Sequence, residues 1–202
     1  MNPNLERALK LGIAVPIMYF GLQLIAMPFY PGYSLLANAA SDLGSPDSSL
    51  PAVFNLGAII SGLLTVLSSY GFARAFQQLR ITPILAWPAS IAVALTGLSS
   101  VWAGTFPLPD PKHAANPMVI GLFLMPFITA ASLWKPSSLN LRIYLLANIA
   151  AFGLLAAIMS GTIPVDQGAY GGLLQRILAL IAFVPIGVGA AFLLARVRIS
   201  PA

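Results

Sequence analysis

Six long apolar runs constrain this chain more than any other feature in it. They lie at about residues 9–30, 52–77, 83–104, 117–135, 139–163 and 172–195. Each is close to or above the roughly 20 residues that a helix rising 1.5 Å per residue needs to cross a bilayer. In hydrocarbon, backbone N–H and C=O groups must be satisfied within the segment, so such runs become helices. Charged residues make up 7% of the chain and hydrophobic ones 58%, whereas about a quarter of a soluble domain is charged. The expected fold is all-α: a polytopic transmembrane bundle of six helices arranged as three hairpins, forming one integral membrane domain over residues 1–202.

The net charge of +5 would suggest nucleic acid in a soluble protein, so its placement matters. Arg7, Lys10, Arg74, Arg80, Lys135, Arg142, Arg196 and Arg198 fall at the termini and in the second and fourth connections. Lys112 and Arg176 alone lie near the other three. Eight against two follows the positive-inside rule, which puts both termini in the cytoplasm of a multi-pass cell-membrane protein. The basic excess then sets topology or touches anionic lipid, and nucleic acid is not an expected partner.

Prolines interrupt the runs at Pro16, Pro28, Pro88, Pro126 and Pro185, where they kink helices and can open a cavity or merely set shape. Gly57 and Gly62 in the second run, and Gly153, Ala157 and Gly161 in the fifth, have the spacing that lets helix backbones approach closely. Trp102 on one side, with Trp87 and Trp134 on the other, fits two interfacial aromatic belts. Pro31 to Pro51 is the longest connection, and Ser34 to Ala40 within it reads as a short surface or re-entrant helix.

Between the third and fourth runs stands Gly104-Thr105-Phe106-Pro107-Leu108-Pro109-Asp110-Pro111-Lys112-His113, which holds the single histidine. Gly161-Thr162-Ile163-Pro164-Val165-Asp166 echoes it after the fifth run and suggests that the second and third hairpins are copies. Asp42, Asp47, Asp110 and Asp166, four of the five acidic residues, share the expected extracytoplasmic side with His113.

Asp110 and His113, three apart, have the spacing to share a proton or ligand, while Asp110-Pro111 and Asn116-Pro117 equally suit helix caps. Asp166 has the same two readings. Arg176 lies several residues inside the last run, where an arginine costs several kcal/mol unless paired or solvated. It is expected either to pair with Asp42, Asp110 or Asp166, or to act as a fork for a phosphate or carboxylate.

Three aspartates and a histidine could also ligate a divalent metal, and Ser41 or Ser45 could serve as a nucleophile, but no metalloprotease, nucleophile-elbow or phosphate-loop motif is present. Cofactors are otherwise unassigned. The absence of cysteine excludes Fe–S clusters, and one histidine argues against bis-histidine haem.

Asn38 through Gly44 with its Ser41-Asp42-Leu43-Gly44 ending, Phe54-Asn55-Leu56-Gly57 with Gly62, and Gly104-Thr105-Phe106-Pro107 followed by Asp110 and His113 stand in this order. Together they resemble the DUF998 family of small six-helix membrane proteins, with a more distant similarity to the Frag1/DRAM/Sfk1 group. The resemblance implies that Ser41, Asp42, Asn55, Asp110 and His113 belong to one motif set, and implies no reaction.

The leading functional expectation is an extracytoplasmic polar site that binds a lipid or lipid-like amphiphile, with chemistry on its head group open to it. In an acid/base or metal-assisted hydrolase or transferase, His113 would be the general acid/base and Asp110 or Asp42 its orienter or a metal ligand. Arg176, Asn55, Ser41 and Asp166 would hold substrate. The alternatives are a small-solute or proton-coupled transporter, and a non-catalytic assembly or sensing protein. Oligomeric state is not readable from the residues.

Overall fold

The computed structural model describes residues 2–80, 83–135 and 137–199. Among the described residues there are seven α-helices: α1 (Pro3–Ala26), α2 (Ala52–Gln78), α3 (Pro83–Thr105), α4 (Pro111–Ala114), α5 (Ile120–Leu133), α6 (Leu139–Met159) and α7 (Gln167–Ile199). Short 3-10 turns cover Met27–Phe29, Ala40–Gly44 and Pro117–Val119, and there is no strand among the described residues. Counting α4, the following turn and α5 as one segment, six helical segments among the described residues are long and apolar enough to cross a membrane. The protein is an all-α integral membrane protein.

Helix starts follow local chemistry. Asn2, Asp110, Asn116 and Ser138 each accept a hydrogen bond from a backbone amide two or three residues on, and proline follows three of the four. A side-chain acceptor satisfies amides left free at a helix start, and proline has no N–H to leave unsatisfied.

The boundaries differ from the sequence expectation in three places. The fourth crossing is segmented, because Asp110-Pro111 and Asn116-Pro117 each begin a new turn. α7 starts at Gln167 rather than about residue 172, since Asp166 caps it by accepting from the amides of Gly168 and Ala169. α6 stops at Met159 because Gly161 takes a positive φ of 77°. The expected helix at Ser34–Ala40 is instead a set of turns leading into the 3-10 turn at Ala40.

The main core is apolar and draws on α1, α2, α3, α5 and α7 with Leu145 of α6, and Leu9, Phe76, Met125, Phe183 and Ile186 are fully buried in it. Outward-facing Ile17, Leu63, Leu139 and Leu146 are exposed, as lipid-facing positions are. Most buried hydroxyls bond within their helices, while Ser100 of α3 donates across to the Ala58 carbonyl of α2 at 3.0 Å. Thr65, Ser68, Ser90, Thr96, Thr129 and Ser132 each donate to a carbonyl three or four residues earlier.

Glycine decides how close the helices come. A Cβ on Gly62 would lie 2.6 Å from the Gly97 carbonyl oxygen, and one on Gly97 would lie 2.6 Å from that of Gly62. The backbones of α2 and α3 therefore touch, across what the hairpin scheme treats as a boundary between units. At the next level Gly104 meets the Asn55 carbonyl, which a Cβ would approach to 2.5 Å.

The small-residue expectation fails in α6, where Gly153 has nothing within 4 Å. The two Gly-Thr-apolar-Pro phrases also diverge. Gly104 is a packing residue, whereas Gly161 is a turn residue with open space around it. Gly62→Leu is accordingly expected to destabilise the protein by about 3 kcal/mol through overpacking, while Gly153→Leu should stay within about 0.5 kcal/mol. Reversible unfolding in mixed micelles measures both.

At the end carrying the termini, Glu6 bridges Lys10 at 2.9 Å and Arg198 at 2.7 Å, tying the start of α1 to the end of α7. These exposed pairs contribute little to stability. The first, third and fifth connections gather at the opposite end.

Candidate functional site

The first connection is held against α7 by backbone and side chain together. The amides of Gly172 and Leu173 donate to the carbonyls of Ala37 and Leu36 at 3.1 and 2.9 Å. Such an approach needs a missing side chain, since a Cβ on Gly172 would sit 2.1 Å from the Asn38 carbonyl oxygen. One turn further along α7, Gln175 Oε1 accepts from the Ala40 amide at 2.6 Å.

Arg176 completes the clamp. Its Nη1 lies 2.9 Å from the Leu35 carbonyl, 2.9 Å from that of Asn38 and 2.8 Å from that of Gly172. Its Nη2 donates to the Tyr33 hydroxyl, over whose ring the guanidinium lies at 5.5 Å. The Tyr33 hydroxyl in turn donates to the Ala39 carbonyl at 2.8 Å. Burial pushes the Tyr33 phenol up from its ordinary pKa, and the neighbouring Arg176 charge opposes that shift.

The expected ion pair of Arg176 with an aspartate is therefore not formed; the described ion pairs are those of Glu6. Carbonyl dipoles take the place of a carboxylate, and most of the fork expected for a phosphate is already engaged.

Asp42 accepts through Oδ2 from the Ala39 amide at 2.9 Å and from Asn38 Nδ2 at 3.3 Å, while Oδ1 has no partner among the described residues. Asn55 donates from Nδ2 to the Gly44 carbonyl at 3.0 Å, pinning the end of the same turn to α2. It is thus a fastener of the first connection. Ser41 makes no side-chain hydrogen bond among the described residues and faces a small cavity.

His113 faces that cavity from the third connection, but the side-chain pairing expected with Asp110 is absent. Asp110 Oδ1 accepts from the Lys112 amide at 2.8 Å, as a helix cap does. His113 Nδ1 lies 2.7 Å from the Phe106 carbonyl, which can only accept, so Nδ1 carries a proton there and Nε2 is the ring nitrogen left for other contacts. Trp102 Nε1 donates to the Lys112 carbonyl at 2.8 Å and fastens the loop from behind. Asp166 is an exposed cap of α7.

Two of the cavities lined by the described residues open at this end. The larger, about 490 Å³, lies between α5, α6 and α7 under the first connection. Its walls are mainly apolar, including Phe123, Phe152, Leu155 and Leu174, and its polar groups are Asp42, Gln167 and Gln175. The smaller chamber is described by two overlapping hollows of about 100 and 210 Å³ that share Tyr19, Ser99, His113 and Gln175. Gln175 lines both cavities and stands between them.

The structure thus brings Ser41, His113 and Gln175 to one chamber and places Asp42 at the other, while Asp110, Asp166 and Asn55 serve as caps and fasteners. Among the described residues no three His, Cys, Asp or Glu side chains are grouped as metal ligands. Tyr33 and Gly172 form the site without standing among its sequence-predicted residues. Their signals are the Pro31-Gly32-Tyr33 turn and the Gly171-Gly172 pair inside an apolar run.

No curated protein and no solved structure matches the chain. A family model does, the DUF998 model, described as a protein of unknown function, and it covers residues 13–191, from the middle of α1 to most of α7. The chain belongs to the DUF998 family.

Proposed function

We propose that this protein binds a single-chain or multi-chain amphiphile at the membrane interface, with the apolar part in the 490 Å³ cavity and the polar end beside Asp42, Gln167 and Gln175. The cavity itself carries the reading. Its volume lies in the range of small-molecule sites, about 300–1,000 Å³, and a few polar groups among apolar walls are the usual composition of such sites. α6, which forms one wall, buries only Leu145 and Leu155 along its length. A peripheral helix of that kind leaves a side route from the lipid. With the termini cytoplasmic, as the charge bias supports, the site faces the extracytoplasmic leaflet.

Chemistry on a head group would belong to the adjoining chamber, which His113 lines together with Tyr19 and Gln175, with Nε2 as the ring nitrogen not engaged by the Phe106 carbonyl. The transport reading has less behind it. The buried polar side chains described are glutamine, serine and threonine, with no buried carboxylate, histidine or lysine among them to relay a proton.

Ala156 lines the large cavity and is otherwise exposed, so Ala156→Trp fills the space without disturbing the core. Native mass spectrometry of the protein released from mild detergent should show a retained amphiphile on the unaltered protein. The retained fraction should fall at least ~5-fold in Ala156→Trp at equal thermal stability, as expected when a preformed cavity is filled. An equal amphiphile load on both proteins, or none on either, would refute the proposal.

A further inference from the structure

Resting on the amphiphile reading above, we infer that the polar end of the bound molecule is a hydrogen-bond-donating cation, a primary ammonium group on an apolar chain. Three observations point the same way. Among the described residues Asp42 is the one charged residue lining the large cavity, and its Oδ1 is without a partner there because both hydrogen bonds of the carboxylate fall on Oδ2. Gln167 donates through Nε2 to the Ile158 carbonyl at 3.3 Å, which leaves its Oε1 as a second acceptor beside the same space. Among the described residues no lysine or arginine lines that cavity.

Arg176, the nearest candidate for an anion clamp by sequence, does not line it either. It directs its terminal nitrogens to the carbonyls of Leu35, Asn38 and Gly172 and to the Tyr33 hydroxyl. The wider field agrees. Asp42, Asp47, Asp110 and Asp166 at this end stand against Lys112 in the third connection and Arg176 in α7, although the whole chain is at +5.

An ammonium group donates three hydrogen bonds and suits oxygen acceptors that line one cavity, one of them charged. A phosphate or carboxylate brings only acceptors and negative charge to the same place. Apolar walls exclude water and strengthen the attraction or repulsion of charges at the cavity mouth. Gln175 fits the same arrangement as a positioning residue, since its Oε1 is held by the Ala40 amide and its side chain divides the ammonium site from the His113 chamber.

The test uses the full chain in phosphatidylcholine nanodiscs and three probes of equal chain length: dodecylammonium, dodecanol and dodecyl phosphate. Saturable binding is measured by calorimetry and compared as ratios, so that partition into the bilayer cancels between proteins. On the unaltered protein dodecylammonium should bind about tenfold tighter than dodecanol, and dodecyl phosphate at least tenfold weaker than dodecanol. In Asp42→Asn, which keeps a carbonyl oxygen for the Ala39 amide, the ammonium and alcohol affinities should come within about twofold of each other.

Dodecyl phosphate binding as tightly as dodecylammonium, or an ammonium-to-alcohol ratio unchanged in Asp42→Asn, overturns the inference. If Asp42→Asn fails to fold, the order of the three probes on the unaltered protein decides alone. Saturable dodecanol binding that Ala156→Trp abolishes, without any ammonium preference, sinks the charge assignment and leaves amphiphile binding standing. No saturable binding of any probe sinks both.

Discussion

Arg176→Met is expected to destabilise the protein by about 3 kcal/mol and to detach the first connection from α7. Methionine keeps much of the apolar stem that arginine lays along its helix, so the substitution isolates the guanidinium. What is lost is the set of hydrogen bonds to the carbonyls of Leu35, Asn38 and Gly172 and to the Tyr33 hydroxyl. A hydrogen bond to a charged group is worth about 1.5–3 kcal/mol, and carbonyls left without a donor add a desolvation cost. The bonds share one half-buried group, so they are not summed.

The chain has no cysteine of its own, which makes a local reading simple. Ala40 is 3% exposed beneath the connection, so Ala40→Cys should label slowly with a water-soluble maleimide. Adding Arg176→Met should speed labelling at least ~10-fold, well below the temperature of global unfolding, because the connection then opens locally. Unchanged labelling together with an unchanged unfolding midpoint would show that the guanidinium does not hold the connection.

The second large effect is a contrast between neighbours. Gly172→Ala should dislodge the same connection, because its Cβ would lie 2.1 Å from the Asn38 carbonyl oxygen, and a backbone atom cannot swing aside as a side-chain tip can. Overpacking of this kind costs about 1–3 kcal/mol and occasionally more. Gly171→Ala meets nothing closer than the Ala37 carbonyl at 3.8 Å, an ordinary contact. Since α7 is helical there, alanine should be neutral or stabilising by up to ~1 kcal/mol.

A single pair of thermal melts, read alongside the maleimide labelling rate in the Ala40→Cys background, separates the two. Equal behaviour of the variants would mean that the close approach of Asn38 to α7 is not what glycine provides. The pair also discriminates shape from propensity, because both substitutions favour helix by the same amount.

How much of the site is legible beforehand differs residue by residue. Asp110 and Asn116 as caps are legible, since an acceptor before proline is a local pattern needing no distant partner. The gathering of Asp42, His113 and Arg176 toward one end follows from counting apolar runs between them. The partner of Arg176 is not legible. A carboxylate leaves a letter in the sequence, whereas a carbonyl is present at every position, and only the path of residues 33–39 shows which carbonyls turn toward α7.

The separation of Asp110 from His113 has a similar origin. Spacing of three suggests contact, but the chain turns so that the Asp110 carboxylate faces the Lys112 amide and the imidazole faces Phe106. Likewise Gly104 and Gly161 read alike, and one lets two helices touch while the other reverses the chain in open space.

By itself, the amino-acid sequence determined that this is a six-span helical membrane protein with its acids and its histidine at the end away from the termini, Glu6 excepted. The reason is that the cost of unsatisfied backbone in hydrocarbon acts on every apolar run alone, without reference to its neighbours. Tertiary structure decided everything that depends on two segments meeting: the carbonyl clamp around Arg176, the backbone contact at Gly62 and Gly97, and the cavity left where α6 packs loosely against α5 and α7. Those features rest on distances of a few ångströms between residues far apart in the chain, and no local pattern carries that information.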